Sequence, residues 1–114
     1  EPVETIAMSS ENLSAVLAGM RDLATDGAVS QYFKNCIVDA AAKTGTIQTG
    51  DTKNNNGAFV CFAPYDDPQI AVAIVIEKGG SGAALASTAV QVLNAYFSNT
   101  SASSAITGEN TLLG

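Results

Sequence analysis

The sequence predicts an α+β fold in which a three-stranded antiparallel meander packs against two helices. Apolar residues recur at helical spacing in an early and in a late segment of the chain, and three strand-like segments lie between them. The connections between these strands are too short for parallel crossovers, so the strands are predicted to be antiparallel. With 114 residues, of which 46% are hydrophobic, the chain has the size and composition of one globular domain.

The first helix is predicted within residues 9–27. Ser9 or Ser10 can cap its N-terminus, Glu11 suits the positive end of the helix dipole, and Gly27 is a natural stop. The apolar residues that predict its buried face are Leu13, Val16, Leu17, Met20 and Leu23.

Three strands are predicted next, at residues 36–46, 57–64 and 69–77. The polar stretch 48–57 joins the first two, and the sequence YDDP at 65–68 predicts a tight turn between the last two. The apolar run of the third strand is continuous, which predicts that both of its faces are covered, as in a central strand.

The second helix is predicted within residues 78–97, where leucine, valine, alanine and tyrosine residues repeat at helical spacing. Gly80 and Gly82 at its start resemble a dinucleotide-binding turn, but Leu85 occupies the position of the third glycine and no second parallel strand follows. We therefore interpret this segment as a flexible turn before the helix. The domain is assigned to residues 1–97, and residues 98–114, rich in Ser, Thr and Gly, are predicted to form a flexible tail.

The charge and the residue types exclude several functions. The net charge is −6 and the five basic residues are dispersed, so no nucleic-acid partner is predicted. The chain has no histidine, and its two cysteines do not form a C-x-x-C pair, so neither a metal site nor a cofactor is predicted. Cys36 and Cys61 lie several residues out of register if the first two strands form a hairpin, which favours two free thiols over a disulfide.

The four residues Lys43, Thr44, Gly45 and Thr46 end the first predicted strand. An ammonium and two hydroxyls beside a glycine are suited to bind an anion such as a carboxylate. An edge strand also carries lysine to discourage aggregation and threonine for its β-propensity. The residues by themselves leave both interpretations open and favour the second.

The order of the elements, the sequence KTGT and the following stretch GAFVCFAPYDDPQIAVAIVIE together resemble one family. They are similar to the C-terminal part of the transpeptidase domain of class B penicillin-binding proteins. These proteins are the D,D-transpeptidases that cross-link peptidoglycan and are acylated by penicillin. The resemblance covers roughly residues 9–97 and implies the fold of the C-terminal half of that domain.

The resemblance implies a role for each residue of KTGT. Lys43 would support the proton transfers of an upstream serine and attract an anionic substrate. Thr44 and Thr46 would bind the carboxylate of a substrate or of penicillin, and Gly45 would leave room for the substrate along the strand. The backbone N–H of Thr46 would form half of the oxyanion hole.

Two of the three motifs of the family are absent from these 114 residues. The family uses S-x-x-K, S-x-N and K-T-G. No S-x-x-K occurs, since Ser30 precedes Lys34 by four positions, and Ser10-Glu11-Asn12 is interpreted as a helix cap. The chain is therefore expected to be a piece of a longer enzyme and to be inactive by itself, without transpeptidation or a covalent penicillin adduct.

The resemblance also implies partners and a location. The partners are the peptidoglycan stem peptide, β-lactams and the rest of the transpeptidase domain, at the extracytoplasmic face of the bacterial cell membrane with the anchor outside this chain. In the family two further strands pair with the strand 70–77, so the isolated chain is expected to form a homodimer, or to rearrange, through that edge. The alternatives are a non-catalytic module that senses β-lactams or binds peptides, and an unrelated domain with a coincidental KTGT.

Overall fold

The computed structural model describes residues 1–50 and 54–110, with side chains up to residue 99. Its strands form a single sheet in the order β1-β2-β3 with both pairs antiparallel, which confirms the predicted α+β meander. In chain order the elements are α1 (Ser10–Thr25), α2 (Ser30–Phe33), β1 (Ala41–Ile47), β2 (Asn56–Ala63), β3 (Ile70–Ile76), a 3₁₀ turn (Gly82–Leu85) and α3 (Ala86–Asn110).

The first helix begins and ends at the residues that the sequence indicates. Oγ of Ser9 accepts a hydrogen bond from the backbone N–H of Asn12 at 3.1 Å, which caps α1. After the helix, the N–H of Gly27 donates to the carbonyl oxygen of Asp22 at 2.8 Å. A Cβ on Gly27 would lie 2.7 Å from Cα of Leu23, so only glycine allows the chain to leave α1 in this way.

The first strand begins later than the predicted range 36–46. The residues before it follow the short helix α2, which four residues are too few to reveal by periodicity. The N–H of Ile37 donates to Oδ1 of Asn94 at 2.9 Å, and Nδ2 of Asn94 donates to the carbonyl oxygen of Asn35 at 2.9 Å. Residues at the start of the predicted strand are therefore bonded to α3, and the sheet begins only at Ala41.

The last helix is longer than predicted. It does not end at residue 97 but continues to Asn110 through a segment that contains no proline. A helix that is already formed and packed gains a backbone hydrogen bond with each added residue, which explains why the polar segment continues it. The predicted flexibility of residues 98–114 stays a prediction. Residues 111–114 of that tail, and residues 51–53 of the predicted loop, lie outside the described residues.

The two faces of the sheet are packed differently. On β2 the side chains of Phe59, Cys61 and Ala63 point to one face of the sheet, together with their neighbours on β1 and β3. This covered face packs against α2, α3 and the 3₁₀ turn. Its central buried residues are Ala42, Phe59, Cys61 and Ala63. The open face carries Val60, which is 43% exposed, and Val75, which is 63% exposed. The predicted coverage of β3 on both faces is wrong for this chain, because its open-face side chains Ala71, Ala73 and Val75 are exposed and Ile76 at its end is exposed as well.

Candidate functional site

The four residues of KTGT lie in the middle of an edge strand. Lys43 to Thr46 pair with Val60 to Gly57 of β2, in antiparallel register. Within the described part of the chain, β1 pairs with no other strand, so its outer backbone edge is open. An open edge can accept an extended ligand as an additional strand.

The strand presents its functional side chains on two faces of the sheet instead of side by side on one face. Lys43 lies opposite Val60 on the open face, whereas Thr44 lies opposite Phe59 on the covered face. The reason is the two-residue period of a strand, which sends Lys43 and Gly45 to one side and both threonines to the other. Lys43 and Thr46 are exposed, and Thr44 is half-buried at the margin of the covered face.

The ammonium group of Lys43 lies over the edge of its own strand. Its Nζ donates a hydrogen bond to the carbonyl oxygen of Thr44 at 2.7 Å. Lys43 forms no ion pair with any residue that the structure describes, where Arg21 and Asp39 do pair at 2.7 Å. An ammonium without a carboxylate partner remains able to bind an anionic ligand.

An apolar groove borders this edge. It has a volume of about 380 Å³ and lies between α1 and β1, with Lys43 at its rim. The other residues that line it are Val16, Gly19, Met20, Leu23 and Ala42. The groove can accommodate the apolar part of a ligand whose charged part reaches Lys43.

Both cysteines are free: Cys61 is buried on β2 opposite Ala42, and Cys36 is half-buried before β1. Burial raises the pKa of the Cys61 thiol to about 11 and also raises the pKa of Cys36. Such thiols are poor nucleophiles because the reactive form is the thiolate. Among the described residues no three His, Cys, Asp or Glu side chains cluster closely enough to hold a metal ion.

Sequence reasoning missed one contact of the site. The segment interpreted as a flexible turn contains Gly82, which is buried against the backbone of Gly45. The available signal was the glycine itself, because a buried glycine commonly marks a close approach of two backbones.

These residues thus form part of an α+β domain in which the strand that carries KTGT borders an open groove. The profile of the penicillin binding protein transpeptidase domain matches residues 1–97. The chain belongs to this family, which confirms the resemblance seen in the sequence. It represents only a part of the domain, as the comparisons with individual proteins show.

Two curated relatives illustrate the match. Peptidoglycan D,D-transpeptidase MrdA of Escherichia coli K12 is 32% identical over 83 residues, which cover 60% of this chain and 13% of the relative. Penicillin-binding protein 2A of Bacillus subtilis is 33% identical over 85 residues, which cover 67% of this chain and 12% of the relative. The chain thus spans only about an eighth of the length of these proteins.

Solved structures agree with this assignment. Pseudomonas aeruginosa PBP2, in complex with WCK 5153, superposes with a TM-score of 0.72 at 32% identity, over 84% of this chain and 22% of that one. Helicobacter pylori PBP2, in a complex with MreC, has a TM-score of 0.72 at 25% identity, over 80% of this chain and 18% of that one. No helix of the described residues is both long and apolar enough to span a bilayer.

Proposed function

We propose that this chain is the C-terminal part of a peptidoglycan D,D-transpeptidase and that β1 forms one wall of its substrate site. The observation that carries the proposal is the position of KTGT on an open strand edge with an exposed lysine. An extended acyl peptide, or a β-lactam that mimics it, adds to this edge as a further strand.

Because the side chains of β1 alternate between the two faces of the sheet, an anion that lies across its edge can be contacted from both faces. Lys43 reaches such an anion from the open face, while the hydroxyls of Thr44 and Thr46 reach it from the covered side. Gly45 leaves the edge free of a side chain where the substrate backbone passes. The carboxylate of a stem peptide or of penicillin is the anion that we assign to this position.

The reaction is an acyl transfer whose nucleophilic serine lies outside these 114 residues. The serine Oγ attacks the substrate carbonyl and its proton passes to a base, which gives it to the amine of the scissile amide as that amine leaves and the acyl-enzyme ester forms. A second amine then attacks the ester, and the proton that this amine loses returns through the base to the serine Oγ as the serine is released. The N–H of Thr46 donates to the oxyanion in both steps, and Lys43 supports the proton transfers. The longer protein acts at the extracytoplasmic face of the cell membrane, where peptidoglycan is assembled.

The test uses the longer protein, extended upstream to its natural start. Incubation with penicillin is expected to add one penicilloyl group to an upstream serine, detected by intact mass and peptide mapping. Lys43→Ala should lower the acylation rate about 100-fold, because the edge loses its charge. The matched control Lys34→Ala removes an exposed lysine at the end of α2 and should leave the rate unchanged.

Two outcomes would contradict this proposal. A covalent penicillin adduct on the isolated 114-residue chain would mean that a nucleophile lies within it. A folded longer protein that binds penicillin without forming an adduct would favour the non-catalytic sensing or peptide-binding module.

We further propose that β3 binds another strand, and that in the isolated chain this strand belongs to a second copy. Within the described residues β3 pairs only with β2, and Val75 and Ile76 are 63% and 44% exposed. Sedimentation should detect a dimer at high concentration that Val75→Lys weakens, because a charge on an open edge opposes strand pairing. Thr88→Lys, an exposed substitution on α3, is the matched control. A monomer at millimolar concentration would exclude the dimer.

A further inference from the structure

We propose that Gly82 is a positioning residue for the KTGT strand, because its missing side chain lets the 3₁₀ turn lie directly on the backbone of Gly45. The inference rests on the proposed function of β1 and adds to it a residue from outside the strand. It replaces the interpretation of this segment as a flexible turn.

The contact is between backbones. A Cβ on Gly82 would overlap the carbonyl oxygens of Ala58 and Gly45 and would lie 2.9 Å from the nitrogen of Gly45. Real Cβ atoms do not approach other heavy atoms so closely, so any side chain at position 82 must displace the turn or the strands. Gly82 thus lies over the pair that Gly45 and Ala58 form between β1 and β2.

These contacts indicate the direction of the backbone N–H of Thr46 in the proposed site. Three backbone atoms lie close to the position of a Cβ on Gly82: the nitrogen of Gly45, the oxygen of Gly45 and the oxygen of Ala58. This is the arrangement expected when Gly45 and Ala58 exchange hydrogen bonds across the two strands. The carbonyl of Gly45 therefore points toward β2. In a planar trans peptide the N–H points opposite to the preceding carbonyl, so the N–H of Thr46 points to the open edge. A side chain that pushes the carbonyl of Gly45 also tilts the N–H of Thr46.

The turn is held from behind and cannot easily retreat. The residues that follow Gly82 are anchored in the core, where Leu85 is 6% exposed and Leu93 is fully buried. Before it, the N–H of Gly80 donates to the carbonyl oxygen of Asn55 at 3.0 Å. Among the residues that the structure describes, β1 pairs only with β2, so β1 is the element that yields to an added side chain.

The first experiment measures the backbone amide NMR signals of β1 in the 114-residue chain. Gly82→Ala should shift the amide signals of Gly45 and Thr46 more than those of any other β1 residue. The matched control is Gly19→Ala on α1, where an added Cβ meets no atom within 4 Å, and it should leave both signals in place. Unchanged Gly45 and Thr46 signals in a folded Gly82→Ala chain would overturn the proposal.

A milder variant covers the case in which Gly82→Ala does not fold. Oγ of Ser81 accepts the N–H of Ala83 at 3.2 Å and so caps the 3₁₀ turn. Ser81→Ala loosens the turn without adding bulk, and hydrogen exchange of the Gly45 amide should accelerate about fivefold. The amide of Lys43, two residues along the same strand, should change less. Equal acceleration of both amides would mean general destabilisation and would overturn the proposal.

The second experiment measures function in the longer protein. Gly82→Ala should reduce the rate of penicillin acylation about 10- to 100-fold at temperatures where the variant is folded. Val29→Ala, which removes buried methyl groups just before α2, should lower the melting temperature but keep the acylation rate. An unchanged rate in Gly82→Ala, or an equal loss in folded Val29→Ala, would contradict the positioning role. If the wild-type protein is not acylated, the proposed function fails, and the amide signals alone decide whether Gly82 positions the strand.

Discussion

The covered and open faces of the sheet are built from the same three strands but are packed to different degrees. On the covered face, Phe59 is 1% exposed and its ring stacks on Phe33 with the centroids 6.3 Å apart. On the open face, Val60, the next residue of the same strand, is 43% exposed. Leu13 and Val16 of α1, predicted to be buried, are 46% and 53% exposed.

The covered face is packed by segments of this chain, whereas the open face needs other segments of the domain to cover it. The covered face has its helices α2 and α3 within the chain, so its apolar side chains exclude water. The open face and the first turns of α1 carry apolar side chains of the kind that is normally covered. Because the chain spans only about an eighth of the length of its curated relatives, we expect the segments that cover these side chains in the rest of the domain.

The largest expected effect is on the covered face. Phe59→Ala should lower the free energy of unfolding by about 3–5 kcal/mol, because it leaves a cavity in the core. Val60→Ala on the open face should cost less than about 1 kcal/mol. Urea denaturation followed by circular dichroism measures both values. Similar losses for the two variants would mean that the faces are equally packed in solution.

The covered face should also make stability depend on pH. Burial raises the pKa of Cys61 to about 11 from its ordinary value of 9.0. Between these values the unfolded chain loses the thiol proton and the folded chain keeps it, so stability falls as pH rises from about 9 to about 11. Below pH 9 both states hold the proton and this contribution is constant.

The control for this pH dependence is Cys61→Ala, in which the decline above pH 9 should become shallower. Denaturation at a series of pH values measures it, with iodoacetamide labelling of the folded protein at pH 8 as a second readout. Rapid labelling of Cys61 at that pH would contradict the buried position of the thiol.

The smallest expected effect concerns the contacts that hold α1 beside the sheet. Arg21 pairs with Asp39 at 2.7 Å, and its guanidinium lies 4.9 Å from the centroid of the Tyr65 ring. Since this pair is exposed, Arg21→Ala should lower the melting temperature by only about 4 °C or less. Arg21→Lys retains the charge and should lose less. High salt should reduce the difference between wild type and Arg21→Ala, and a salt-independent difference would argue against the ion pair.

Much of the fold could be predicted because it depends on local patterns. The helical spacing of apolar residues, a serine cap and Gly27 as a stop are properties of neighbouring residues, and the structure has the predicted helix with Ser9 as its cap. The antiparallel order of the strands follows from their short connections. The sequence KTGT, with the strands after it, was sufficient to indicate the family.

Other features depend on contacts between residues that are distant in the sequence. The sheet begins at Ala41 because the segment before it bonds to Asn94, 57 residues from Ile37, and no local pattern reports such a bond. The continuous apolar run of β3 indicated two covered faces, but coverage depends on which segments lie beside a strand. The helix continues past residue 97 because the core already holds its preceding turns.

The candidate site divides in the same way. The residues of the KTGT edge can be read from the sequence, and so can the alternation that separates Lys43 from Thr44, since the period of a strand is a local property. The open edge of this strand, and the contact of its backbone with Gly82, 37 residues after Gly45, depend on the folded chain. The physical reason is that side-chain direction follows from the backbone of one strand, whereas burial and close approach require a second segment of the chain.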